Sequence, residues 1–314
     1  TLPRWTFSLY WRRDEKPIWQ DDKLIARENV DSGATPKQAE TLLHEMANAL
    51  GLAPDYVVPA FEDPAIWITK EGNLPENVTP QNSKLEDPEE RSRIARVFDR
   101  GLTKPSGYVL PVQGWQAKAG GIKWRSEKWK TRRGYVFLVP GDSPVGYRLP
   151  LGTLPYVPPS EYPYIHPKDP TIPREPLADP LAEPREQMRA SFAAAEPTQE
   201  RVEQTMSDLD GAVRAALSVE LRDGRLCVFM PPVEELEYYL ELIAAAEKAA
   251  KTLGVPIHIE GYTPPHDPRM NVIRVAPDPG VIEVNIHPAS NWSECVGITE
   301  AVYEAARQTR LGTD

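Results

Sequence analysis

Cysteine is almost missing from this chain: Cys227 and Cys295 are the only two in 314 residues. Two thiols cannot build a disulfide framework or a cysteine-rich metal site, so the composition fits a reducing, cytoplasmic compartment. Basic residues are also short, with a net charge of -10 and a pI near 5.2. A sequence-independent nucleic-acid binder needs Lys and Arg to displace counterions from phosphates, and that balance argues against one. No run of about 18 apolar residues occurs, and "TLPRWTF" at the start has no basic-then-apolar leader pattern, so neither a membrane span nor a secretory leader is read. The motifs GxxxxGK(S/T), GxGxxG after a strand, GxSxG and HExxH are all absent. The missing initiator Met and the end at "RLGTD" lead us to expect a piece of a longer chain. What is present is 40% hydrophobic residues, enough to fill a core at this length.

The pattern along the chain predicts an N-terminal α/β block at 1–155, a proline-rich connector or strap at 156–197, and a ββαβββα block at 198–314. "WTFSLYWRR" alternates as a strand does. "TPKQAETLLHEMANALGL" carries Thr35 as N-cap, Pro36 at the first helical position and Gly51 as stop, and "DPEERSRIARVFDRGL" repeats that grammar from Asp87 to Gly101. "GYVLPV" and "RRGYVFLVPG" read as short strands. From Pro155 to Pro184 ten of thirty residues are proline, which rules out helix and central strand; the tyrosines of "PSEYPYIHP" favour a strap laid on a surface over a free linker. "LSVELRDGRLCVFMP" is a hairpin around Asp223-Gly224. The helix after it places Leu236, Tyr239, Leu240, Ile243, Ala246, Ala250 and Leu253 on one stripe and stops at Gly254. Three strands and a closing helix complete the block. The expected fold class is α+β, an antiparallel or mixed sheet covered on one side by helices.

That leaves one face of the sheet open. In "DPGVIEVNIHP", at 278–288, Glu283, Asn285 and His287 alternate with Ile282, Val284 and Ile286, so the apolar set is expected on a core and the polar set on the open face. An antiparallel sheet wetted on one side gives the same alternation. With Glu260 from "IHIEGY", however, two carboxylates, an amide and an imidazole could seat a hard divalent cation. A second cluster, "PGDSPVGYRLPLGTLPY", holds Asp142, Ser143, Tyr147 and Arg148 on rigid turns; an arginine held this way can clamp a carboxylate or phosphate, though "GDSP" is also simply a strong turn. The stretch "WQAKAGGIKWRSEKWKTRRG" mixes Trp115, Trp124 and Trp129 with Lys and Arg. It reads either as a basic loop with tryptophans packed inward or as a base-stacking groove.

The stretches "PSGYVLPV", "RRGYVFLVPGDSPVGYRLPL", "IEGYTPPHDPRM" and "PDPGVIEVNIHPASNW" resemble a bacterial family of unknown function described as amidoligases, usually found behind a transglutaminase-like domain in longer chains. The resemblance spans essentially the whole sequence. It implies kinship with glutamine synthetase and the carboxylate–amine ligases, in which an antiparallel sheet holds Mg2+ and ATP on carboxylates. On that resemblance Glu260 and Glu283 are the expected metal ligands. Asn285 and His287 would complete the catalytic set with Glu283, Arg148 would hold the acceptor carboxylate, and a carboxylate and an amine would be the substrates. A glycine-rich segment of the nucleotide site and the transglutaminase-like domain are expected outside this sequence. A non-catalytic peptide-binding module of a larger protein is the alternative reading.

Overall fold

The computed structural model describes residues 6–63, 87–89, 92, 104–116, 122–131, 135–154, 174–178 and 213–312. It is α+β, and it divides into two compact units that interleave along the chain: Thr1–Ile18, Pro173–Asp179 and His266–Asp314 form one, Trp19–Ile172 and Pro180–Pro265 the other.

In the smaller unit, β1 (Phe7–Arg12) pairs antiparallel with β10 (Met270–Asp278), which pairs antiparallel with β11 (Val281–Asn285). Helix α3 (Trp292–Gln308) follows, its first turn capped by Asn291, whose side chain accepts the Glu294 N–H at 3.0 Å. Arg12 is buried at the end of β1. Its Nε donates to Asp14 Oδ1 at 2.8 Å and its Nη1 to the Ala178 carbonyl at 2.9 Å, while Nη2 reaches Asp14 Oδ2 and the Leu177 carbonyl. Arg269 likewise donates to the Glu175 carbonyl at 2.9 Å. Residues 174–178 of the proline-rich stretch are therefore a strap, because prolines leave carbonyls that only outside donors can satisfy. The rest of the connector lies outside the described residues.

In the larger unit, six strands run in the order β6-β2-β3-β7-β8-β9, with β2 Val58–Glu62, β3 Gly107–Pro111, β6 Val136–Leu138, β7 Ala216–Arg222, β8 Arg225–Met230 and β9 Ile257–Gly261. The end pairs β2–β6 and β8–β9 are parallel and the others antiparallel. Strands β4 (Gln113–Gln116) and β5 (Ile122–Arg125) form a separate hairpin. Asp223 (φ 51°) and Gly224 (φ 70°) close the β7–β8 turn in the left-handed conformation that the Asp-Gly pair predicts.

Helix α1 (Pro36–Ala49) begins with the full reciprocal cap: Thr35 accepts the Gln38 N–H, and Gln38 Oε1 accepts the Thr35 N–H at 2.8 Å. Its Leu42, Leu43 and Met46 are fully buried, each stabilising the fold by about 1.5–3 kcal/mol relative to exposure. Helix α2 (Leu236–Leu253) ends at Gly254, φ 63°. Its buried arc includes Tyr238, Leu242, Ala245 and Ala249, not the expected Tyr239, Leu240 and Leu253, because α2 packs on α1 as well as on the sheet. Glu247 points back from α2 and accepts the N–H groups of Gln20 and Asp21, both at 2.7 Å, fixing the start of this unit.

Spacing along the chain leaves open whether the 1–155 and 198–314 blocks share a sheet; β3 of the first pairs with β7 of the second in the large sheet. The expectation that the last three strands lie together in one sheet is corrected: β9 belongs to the large sheet, while β10 pairs with β1 and β11 with β10 instead. The physical break is Gly261, whose φ of 100° turns the chain out of the sheet after β9. Nor do Ile282, Val284 and Ile286 reach a core: they are 46%, 39% and 38% exposed, on and just after β11 at the edge of a three-stranded sheet. Of the helix expected from Asp87, only 87–89 and 92 are described, where Asp87 accepts the Glu89 N–H at 2.9 Å as an N-cap does; the rest lies outside the described residues. No helix among them is long and apolar enough to cross a membrane.

Candidate functional site

The register of the large sheet sorts its side chains into two faces. Leu110, Leu217, Val219, Leu226, Val228 and Ile257 face the helices and are essentially fully buried. The opposite face starts apolar at the β6-β2-β3 end, where Ala60, Val109, Val136 and Leu138 pack with Trp129, Val145, Leu149 and Leu154. Toward β9 it becomes polar: Glu220 and Arg222 on β7, Cys227 and Phe229 on β8, and His258 and Glu260 on β9 lie in register across three strands.

Arg222 binds these strands together. Its Nη1 donates to Glu220 Oε1 at 2.7 Å and to Glu260 Oε1 at 3.3 Å, and its Nη2 donates to Glu260 Oε2. Glu220 Oε1 also lies 3.4 Å from the backbone N–H of Val145, at the start of the short 3-10 turn 145–148. Burial pushes the Glu220 carboxyl above the ordinary carboxylate range, with Glu260 adding to the rise and Arg222 opposing it. Burial also raises the Cys227 thiol, to about 11, so it stays protonated and packs as a small apolar group.

The turn 145–148 is laid over this face by a glycine. A Cβ on Gly146 would stand 2.0 Å from the Phe229 ring, so only glycine lets the backbone come this close. Tyr147 then meets Phe229 edge-on at 4.7 Å, and Tyr262 meets both Phe229 (6.0 Å) and Tyr147 (5.8 Å). Both tyrosines stay about half exposed while the phenylalanine beneath them is buried.

The structure sorts the expected site residues into three groups. Glu260, Tyr147 and Arg148 fall on this one face or on the turn that covers it. Arg148 is buried, however, and its guanidinium closes its own loop, Nε donating to the Val139 carbonyl at 2.9 Å and Nη2 pairing with Glu62. Asp142 and Ser143 stand exposed in the turn before it. Glu283, Asn285 and His287 lie in the smaller unit: Asn285 Nδ2 donates to Glu283 Oε1 at 2.8 Å, and His287 is buried edge-on against the Trp11 ring at 5.3 Å, away from the alternation that seemed to hold the three together. Thus Glu260 and Glu283 belong to different sheets. Glu260 accepts two hydrogen bonds from Arg222, and no group of three His, Cys, Asp or Glu among the described residues could hold a metal ion. Glu260 is thus neutralised by a guanidinium, and Glu283 accepts from Asn285. Sequence reasoning missed Glu220 and Arg222; their i, i+2 spacing beside Asp223-Gly224 was the available signal, read as hairpin alternation alone.

In the basic stretch, Trp129 is buried and donates its Nε1–H to the Val213 carbonyl at 2.8 Å, and Trp124 stacks edge-on against Tyr238. The inward-packing reading holds for these two; the side chain of Trp115 is outside the described residues.

A family model described as "Putative amidoligase enzyme (DUF2126)" matches residues 1–314. The chain belongs to that amidoligase family. No curated protein and no solved structure matches it. For an amidoligase-family chain, the polar half of the large sheet has the right inventory: a guanidinium in reach of solvent, suited to an anionic group, and a carboxyl whose affinity for a proton has been raised.

Proposed function

We propose that this chain joins a carboxylate to an amine, and that it does so on the polar face of the six-stranded sheet, the counterpart of the concave face of glutamine synthetase-like ligases. The observation that carries the reading is the Glu220–Arg222–Glu260 array, three charged side chains from two strands on one rigid surface. Amide formation needs the carboxyl carbon activated and the attacking amine deprotonated. ATP, implied by the resemblance, would supply the activation as an acyl phosphate.

The chain's own residues account for two needs. Arg222, about a third exposed, offers a cation to the negative charge of the bound carboxyl group. Glu220 is the base. As the nitrogen forms its bond to the carbonyl carbon and phosphate leaves, the surplus proton on nitrogen passes to a Glu220 oxygen, and burial makes that carboxyl a better proton acceptor than a solvated one. Tyr147, Tyr262 and the Gly146 turn cover the Phe229 ring beside these groups.

The test is to incubate the chain with ATP, Mg2+ and a panel of amino acids, peptides and alkylamines, following phosphate release and searching by mass spectrometry for products equal to the two substrates less one water. Such a product, lost in a Glu220→Gln variant whose unfolding curve matches the parent's, is the expected result. ATP-dependent phosphate release with no amide across the panel, or an amide formed equally well by Glu220→Gln, would refute the assignment.

A further inference from the structure

We infer that Tyr147 and Tyr262, with Glu220, form the seat of the amine, and that this amine is a primary alkylammonium; the inference rests on the ligase reading in that it supplies the second substrate. Three observations carry it. The first is charge. Glu62, Glu220 and Glu260 stand on the face against Arg148 and Arg222, so carboxylates outnumber guanidiniums, and the remaining arginine of the hairpin, Arg225, already pairs with Asp223. A surplus of negative charge on a partly desolvated surface favours a cation.

The second is an unused acceptor. Glu220 Oε1 takes the Arg222 and Val145 contacts, whereas Oε2 accepts no hydrogen bond from the described residues. An ammonium has three donors and no acceptor, so it matches a lone carboxylate oxygen.

The third is the aromatic pair. Two half-exposed rings are held rigidly: the Tyr147 N–H bonds the Pro144 carbonyl at 3.0 Å, the Tyr262 N–H bonds the Met230 carbonyl at 3.0 Å, and the buried Phe229 supports both from beneath. The two rings are tilted 55° to each other with centroids 5.8 Å apart, and each stays about half exposed, so ring surface is left for a ligand. The negative face of a tyrosine ring attracts an ammonium, and the methylenes behind that ammonium find apolar surface on the same rings. Glu260 precedes Tyr262 by two residues and is in register with Phe229, so the rings and the carboxylates belong to one surface. Gly261, left-handed at φ 100°, aims Tyr262 there, a course no other residue follows without strain.

Calorimetric titration with cadaverine, and separately with glutarate, tests this on the parent chain and on Tyr147→Leu, Tyr262→Leu and Tyr262→Phe. Leucine keeps apolar bulk and removes the ring's charge distribution; phenylalanine keeps the ring. Cadaverine should bind the parent and Tyr262→Phe alike, and about threefold more weakly to each leucine variant, the fold-change expected of one exposed cation–π contact. Glutarate affinity should be unchanged by the tyrosine variants. No cadaverine binding at millimolar concentration, or equal binding by parent and leucine variants, overturns the inference, as does loss of glutarate in place of cadaverine. Each of those outcomes leaves the ligase reading to the separate appearance of an amide product.

Discussion

Replacing Arg222 by glutamine removes the one cation among the described residues that touches both Glu220 and Glu260. The side chains of the two glutamates are only 15% and 14% exposed, while that of Arg222 is 35% exposed. Breaking a buried pair by removing one partner costs about 3–5 kcal/mol, and an exposed pair contributes about 0–1 kcal/mol. The intermediate exposure places this site between them, near 2 kcal/mol at pH 7, most of it from two carboxylates left facing each other. The pH dependence has a definite sign. Glu220 already holds its proton more tightly when folded, through burial, and Arg222 is what restrains that rise. Without Arg222 its folded pKa rises further above the unfolded value. The uncharged form then relieves the repulsion at low pH, and the penalty develops as pH climbs through that raised pKa. Urea unfolding of the parent, Arg222→Gln and Arg222→Gln/Glu260→Gln at pH 5 and pH 8 reads all of this. The single variant should lose more stability at pH 8 than at pH 5, and the double variant should recover part of the loss. A single variant within about 0.5 kcal/mol of the parent at both pH values would show that the array is screened by water, and the electrostatic argument would fail.

Arg12→Lys keeps the charge but not the fork that holds Asp14 and the carbonyls of Leu177 and Ala178; it should cost about 3 kcal/mol and speed proteolytic cleavage within 174–178, and unchanged cleavage would mean the strap is held otherwise. Gly146→Ala should force the turn off the Phe229 ring, lowering stability by about 1–3 kcal/mol and blurring the near-ultraviolet circular dichroism of Tyr147 and Tyr262; a neutral effect in thermal unfolding would contradict the close approach. Asp267 is buried, which alone would raise its pKa, yet its hydrogen bonds from Arg269 hold it below the ordinary range, so the stability it contributes is present above about pH 4 and fades as pH falls. Asp267→Asn should therefore flatten the acid limb of the parent's stability curve, visible as converging unfolding midpoints below about pH 4.

Much of the local structure was legible because its causes are local. Thr35, Pro36 and Gln38 start α1 by hydrogen bonds within one turn, Asp223-Gly224 bends the β7–β8 hairpin by backbone conformation, and Gly254 ends α2 in the same way. Alternation likewise assigned Glu260 to a polar face. What alternation could not show was which strands would be neighbours. "IHIEGY" and "GVIEVNIHP" look like consecutive members of one sheet, yet β9 pairs with β8 and β11 with β10, because strand pairing is set by contacts between distant segments such as β1 with β10.

The candidate site follows the same division. The helix caps, the hairpin turn and the α+β class could be read from the sequence, since these depend on side-chain periodicity and the φ preferences of single residues; the open polar face expected at Glu283, Asn285 and His287 could not, because its alternation rests on no core. Only the tertiary structure decided that Arg222 stands between Glu220 and Glu260, that Arg148 is committed to Glu62 and Val139, and that Glu283 and His287 take no place in the large sheet. The reason is physical: a charge's role depends on which opposite charge lies within about 3 Å of it, and that distance is fixed by packing between segments, not by spacing along the chain.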